Sequence, residues 1–127
     1  MDDTEDEEPL SPVVALTNCI LIAALNKRAH QIRIDGDKRR CVVTFRINGV
    51  DREEMSPPST MRPYIVRRLA VMGSVPFYPL DGSGEGEILL RVGEHPERPR
   101  FSLRVSGHGS NLTATLDVLE GYDPWPP

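Results

Sequence analysis

Residues 29–50 read AHQIRIDGDKRRCVVTFRINGV, and the fold turns on this stretch. Gln31-Ile32-Arg33-Ile34 alternates polar and apolar, as a strand with one buried face does. Asp35-Gly36 and its charged neighbours predict a turn. Cys41, Val43, Phe45 and Ile47 then fall on one face of a second strand, with Val42, Thr44 and Arg46 opposite. Asn48-Gly49 is a strong hairpin signal, because both residue types accept positive φ. Val50 to Met55 can return as a short third strand.

Working outward, the period before this stretch is helical. Ser11-Pro12 predicts a helix start, with serine as cap and proline at a position where its missing N–H is harmless. Val13, Leu16, Ile20 and Ala24 share one stripe, with Val14, Leu21 and Leu25 beside it. Asn26, Lys27 and Arg28 occupy the expected last turn. Beyond the hairpin, Ser56-Pro57-Pro58-Ser59 ends the sheet. Ser59 or Thr60 is expected to cap a second helix with Met61, Ile65, Leu69 and Met72 inward and Arg62, Arg67 and Arg68 elsewhere. Gly73 suits the left-handed position after it. Pro76 to Gly86 is rich in Pro, Gly and Ser and reads as a loop. Three strands are predicted next: Glu87 to Val92, then Phe101-Leu103-Val105, then Leu112-Ala114-Leu116-Val118, with Gly107 to Asn111 as the last hairpin turn. The order is helix, three strands, helix, three strands. Consecutive hairpins imply an α+β fold, an antiparallel sheet of five to six strands with both helices on one face.

The 127 residues suit one domain able to bury a core without metal or disulfides. The expected organisation is an acidic disordered tail over 1–10, the α+β domain over 11–120, and a Pro-rich tail over 121–127. Six of the nineteen acidic residues lie within residues 2–8, leaving thirteen against fifteen basic residues in the rest. A net charge of −4 argues against phosphate-driven nucleic-acid binding. Val13 to Leu25 is apolar but too short to span a bilayer, and the acidic opening residues lack the basic start and apolar run expected of a secretory signal. No membrane insertion and a cytoplasmic location are expected. Cys19 and Cys41 read as small buried hydrophobes of a reducing compartment.

The motifs in this order resemble the domain that precedes the ATPase core in type II secretion and type IV pilus motor proteins. Ala29-His30-Gln31-Ile32-Arg33-Ile34-Asp35 is similar to that family's A-S-D-I-H-I-E strand. Arg46-Ile47-Asn48-Gly49-Val50 is similar to its R-I-D-G-V. Ile65 to Ser74 resembles its helix I-x-x-R-I-K-x-M-S-G, and Leu103-Arg104-Val105-Ser106 its strand F-R-V-S. The resemblance covers about residues 13–120. It implies a domain that packs on the motor domains of a hexamer and whose arginines help complete a partner subunit's nucleotide site. The matched arginines are Arg46 and Arg104. The family's Q-D-G-R loop stands here as Leu80-Asp81-Gly82-Ser83, without its arginine. Where the family carries G-E after the last motif and runs on into the motor, this chain has Gly107-His108-Gly109-Ser110-Asn111.

The chemistry of a motor is absent from the sequence. Its only lysines, Lys27 and Lys38, follow no glycine, so the phosphate-cradling loop has no counterpart. No enzymatic activity and no cofactor are expected. His30, His95 and His108 with the cysteines match no zinc spacing, so no metal is expected. Ser106, His108 and Asp117 have the residue types of a triad but lack a nucleophile elbow. What remains is a non-catalytic interaction or regulatory module, an adaptor for pilus, secretion, motility or cell-polarity machinery with protein partners. The candidate partner-binding residues are Arg33, Arg46, Arg67, Arg68, Arg104 and Trp125. The arginines of the basic turn Lys38-Arg39-Arg40 and of the helix patch Arg67-Arg68 offer planar donor forks to an acidic partner or to the chain's own acidic tail. Trp125, set between prolines, is a candidate interface anchor. Two other readings stay open: a nucleotide sensor using Arg33, Arg46 or Arg104, and a fragment of a secretion or pilus ATPase that lends arginines to a neighbouring ATP site.

Overall fold

Helix α1 spans Ser11–Asn26, and three strands follow it: β1 Gln31–Gly36, β2 Cys41–Ile47 and β3 Val50–Met55. Helix α2 covers Arg62–Met72, and β4 Ser83–Leu89, β5 Arg100–Ser106 and β6 Thr113–Glu120 complete the order. This computed structural model describes residues 11–76, 83–94, 96–107 and 109–120. The expected N- and C-terminal tails, His95, His108 and Trp125 lie outside the described residues.

The six strands form one antiparallel sheet in the order β3-β2-β1-β6-β5-β4. Each half is a meander joined by hairpins, and the halves meet where β1 pairs with β6. Register places Ile32 opposite Phe45 and Leu116, and Ile34 opposite Val43 and Ala114. Leu103 faces Leu116, and Ile88 faces Phe101. All of these are buried, so one face of the sheet is a continuous apolar floor. Both helices lie on it, supplying Ile20, Leu21, Ala24 and Leu25 from α1 and Ile65, Val66, Leu69 and Ala70 from α2. The α+β layer with helices on one face is therefore the observed architecture.

Several local expectations need correction. The buried residues of α1 are Thr17, Ile20, Leu21, Ala24 and Leu25, at steps of three and four. Cys19 falls outside that stripe and is exposed, whereas Cys41 is buried. The β1–β2 turn comes two residues later than Asp35-Gly36, over residues 37–40. Gly36 still belongs to β1, and Asp37 Oδ1 accepts hydrogen bonds from the backbone N–H groups of Arg39 and Arg40. That local bonding is what lets an aspartate hold a turn. Neither Ser59 nor Thr60 caps α2. They enter a 3₁₀ turn, Met61 takes the cap position without a side-chain bond, and proline in the first turn stands in for the cap. Arg62, expected off the apolar stripe, is nevertheless buried, at 3% exposure.

The helix ends also differ. Gly73 has an ordinary φ of −93°. The left-handed residue is Ser74, at φ 58°, and Arg28 holds the same position after α1 at φ 59°. In both, the residue beyond closes a six-residue ring: Ala29 N–H donates to Ala24 O at 2.9 Å and Val75 N–H to Ala70 O at 2.8 Å. Arg28 donates to Leu25 O and Ser74 to Val71 O. This is the Schellman arrangement, with Ala29 and Val75 as its buried apolar residues. The Asn48-Gly49 turn is as expected, both residues having positive φ.

Strand β4 begins at Ser83, four residues earlier than expected, and ends at Leu89. Gly84 and Gly86 give it no strand-like composition. They are needed because the chain leaving α2 crosses here. A Cβ on Gly86 would run into the Gly73 carbonyl oxygen, and one on Gly84 would sit 2.7 Å from Val75 Cγ1.

Candidate functional site

Two surfaces carry the sequence-predicted arginines, one on each side of the layer. On the open face of the sheet, register aligns side chains in rows across the strands. One row runs Asp51, Arg46, Gln31, Asp117, Ser102. The next runs Glu53, Thr44, Arg33, Thr115, Arg104, Glu85. Arg33, Arg46 and Arg104 are thus brought onto one face, as strand alternation dictates.

These arginines are already engaged. Arg46 Nε–H donates to Asp51 Oδ1 at 2.8 Å, and Arg33 Nη1–H reaches Asp51 Oδ2 at 3.1 Å. Arg104 Nη2–H donates to Asp117 Oδ2 at 3.3 Å, and Gln31 Nε2–H to Asp117 Oδ1 at 2.9 Å. The hydrogen bonds from Arg46 and then Arg33 hold the Asp51 carboxyl at about 2, against an ordinary 3.8. The same bond raises the Arg46 guanidinium above its usual value. An incoming phosphate would have to displace a carboxylate from each arginine. Ser106 Oγ lies 2.9 Å from Thr113 Oγ1, and Asp117 is bound to Gln31 and Arg104, so these two residues do not build a triad. His30 Nε2 accepts from the Gly49 N–H at 3.3 Å. No group of three metal-ligating side chains occurs among the described residues.

The other surface is helical. Helix α2 buries Arg62, Ile65, Val66, Leu69 and Ala70 against the sheet. Tyr64, Arg67, Arg68 and Val71, spaced i, i+3, i+4 and i+7, form a second stripe turned away from the core. With Val13 and Val14 of α1, this stripe lines a shallow groove of about 250 Å³ with almost entirely apolar walls. Tyr64 is 56% and Val71 65% exposed. Neither Arg67 nor Arg68 forms an ion pair among the described residues. Arg68 Nε is buried and has no hydrogen-bond partner there. Sequence reasoning chose Arg67 and Arg68 but missed Tyr64 and Val71. The i, i+3, i+4, i+7 spacing could have found them, since two large apolar residues fall on the arginine side of the helix.

A second hollow, of about 380 Å³, opens where the β1–β2 turn meets the start of α2. Asp37, Lys38, Ser59, Thr60, Arg62 and Asn111 line it. The Asp37 carboxyl is lowered chiefly by the backbone N–H groups of Arg39 and Arg40. The Cys41 thiol nearby is raised by burial, against the opposing pull of Arg62.

With this geometry in view, the chain can be placed among known proteins. It is similar to the N-terminal region of the motor ATPases of type II secretion and type IV pili. Type II secretion system protein E of Pseudomonas aeruginosa is 30% identical over 115 residues, which is 91% of this chain and 23% of that protein. The protein of the same name from Klebsiella pneumoniae is 29% identical over the same share of each. The type IV pilus assembly ATPase PilB of Myxococcus xanthus is 37% identical over 96 residues, 76% of this chain and 16% of the relative. The chain spans about a quarter of the length of the secretion proteins it matches. No protein-family model matches it. No helix among the described residues is long and apolar enough to cross a membrane.

Proposed function

We propose that this chain is a non-catalytic docking module, an adaptor that joins a type II secretion, type IV pilus, motility or cell-polarity machine by contact. The observation that carries this reading is the match of 91% of the chain to the N-terminal region of secretion ATPases, outside their motor. The one-sided layer supports it, since both of its faces present surface chemistry suited to protein contact. The partners are protein components of such a machine, met on the cytoplasmic side. The expected domain over 11–120 is the unit that docks.

Crosslinking mass spectrometry on the full chain in cells that carry such a system tests this reading. Crosslinks from the described surfaces to the motor ATPase or its neighbours are the expected result. Unaided ATP turnover by the purified chain, or crosslinks confined to unrelated proteins, would overturn it. The nucleotide-sensor alternative predicts about 2.7 kcal/mol of added stability at a hundredfold excess of nucleotide over its dissociation constant. The carboxylates already seated on Arg33, Arg46 and Arg104 argue against that gain.

A further inference from the structure

The geometry points to the α1–α2 groove as the docking site for an acidic amphipathic segment of a partner protein, one that inserts apolar side chains between carboxylates. This rests on the docking reading and goes further, because it names the surface and the chemistry of what it takes. The groove walls come from Val13, Val14, Tyr64 and Val71, and Arg67 and Arg68 stand in the same lining. Apolar walls call for apolar anchors. Two guanidinium groups with no carboxylate among the described residues call for acids beside those anchors. The Arg68 Nε, buried without an acceptor, already bears the cost of desolvation. A carboxylate on the outer edge of that guanidinium would supply opposite charge where the described residues supply none. A helix laid into a groove presents anchors at i, i+3, i+4 and i+7, the same repeat that sets the α2 stripe.

Charge decides among the possible occupants. A second copy of this chain in a two-fold interface would bring Arg67 and Arg68 against their own equivalents. Residues 2–8 offer carboxylates but no apolar side chain, and the tail's apolar residues, Met1, Pro9 and Leu10, fall at its two ends and not at the i, i+3, i+4 and i+7 spacing the groove calls for. A segment in trans with both features satisfies the walls and the charges together.

The test is fluorescence anisotropy with the full chain and a labelled sixteen-residue helical peptide carrying leucines at i, i+3, i+4 and i+7 and glutamates between. A second peptide replaces each glutamate with lysine, and a third replaces each leucine with serine. The glutamate–leucine peptide is expected to bind, more weakly as salt rises, and the two controls at least tenfold more weakly. Arg67→Glu combined with Arg68→Glu, and separately Val71→Asp, should each lower affinity at least tenfold. Arg67→Lys with Arg68→Lys should retain most of it. All three positions lie on the outward stripe of α2, with Arg67 and Val71 exposed and Arg68 half-buried, and unchanged circular dichroism certifies the folded state. Binding only after deletion of residues 1–8, still lost in the groove variants, would support the site with those residues as its competitor. Equal binding of all three peptides, or indifference to the groove variants, would overturn the proposal. So would self-association that the same variants abolish. Crosslinks to a secretion or pilus machine that persist in the groove variants would defeat this inference and leave the docking reading standing. Peptide binding without such crosslinks would do the reverse.

Discussion

Arg46 and Asp51 stand directly opposite each other across the β2–β3 ladder, and their side chains close the hairpin with a 2.8 Å hydrogen bond. Arg33 joins the same carboxylate from β1, so one acid ties three strands together on the open face. Arg46 is also a position matched to an arginine that the family resemblance assigned to nucleotide chemistry. Here it is occupied from within its own chain.

That arrangement sets a pH signature. The Asp51 carboxyl sits at about 2 in the folded state, below its ordinary 3.8. A depressed carboxylate stabilises the fold above the unfolded value, and the contribution fades as pH falls through the folded one. The stability difference between the native chain and Asp51→Asn should therefore be constant above about pH 5 and close between 3.8 and about 2. Carboxyl-carbon NMR should place the Asp51 midpoint near 2, and Arg46→Gln should move it upward. An Asp51 midpoint near 3.8 in the native chain would show that the pair is not formed in solution.

The helix ends make a second prediction. Arg28 and Ser74 both occupy left-handed backbone, at φ 59° and 58°. An L-residue there costs about 1–2 kcal/mol, and glycine escapes it while giving back about 0.5–1 in unfolded-chain entropy. Arg28→Gly and Ser74→Gly should each stabilise the protein by about 0.5–1 kcal/mol in urea denaturation. A loss of stability in both would mean that these residues hold contacts worth more than the backbone strain.

How far the sequence could carry this reading follows from the same positions. Alternation alone placed Ile32, Ile34, Val43 and Phe45 on the buried face, and all four are buried. The Asn48-Gly49 turn and both helices were legible because their signals are local. The Schellman ends were legible only approximately. Gly73 was the obvious candidate for positive φ, but it spends its missing side chain elsewhere: a Cβ there would come within 3.0 Å of Leu103 Cδ2. The turn therefore falls to Ser74. The pairing of Arg33 with Asp51, eighteen residues apart, depends on the register of three strands, which no single strand's pattern reveals. Arg62 is buried by the meeting of α2 with the β1–β2 turn, another relationship that spacing does not encode.

The cysteines offer a direct chemical check. Cys19 is exposed on the outer side of α1, and Cys41 is fully buried with its thiol raised by that burial. A thiol reagent applied to the native reduced protein should titrate one cysteine quickly and the second only on unfolding, because the thiolate is the reactive form and needs access. Cys19→Ser should remove the fast phase and leave the slow one. Two equally fast thiols in the native protein would contradict the burial of β2.

Gly86 tests the least sequence-legible strand. Its backbone lies so close to the chain leaving α2 that an added Cβ would meet the Gly73 carbonyl and approach Val75 Cγ2 to 2.7 Å. Neither neighbour is the free end of a flexible side chain. Relief requires β4 to move away from β5 or the α2 exit to shift, and overpacking of that kind costs about 1–3 kcal/mol. Gly86→Ala should lower stability by that amount in urea denaturation. Glu85→Ala, one residue away and pointing to solvent, should change it by less than about 0.5 kcal/mol. If β4 instead began at Glu87, as composition alone predicts, Gly86 would be a loop residue with room for a methyl group. The two substitutions would then be equally mild.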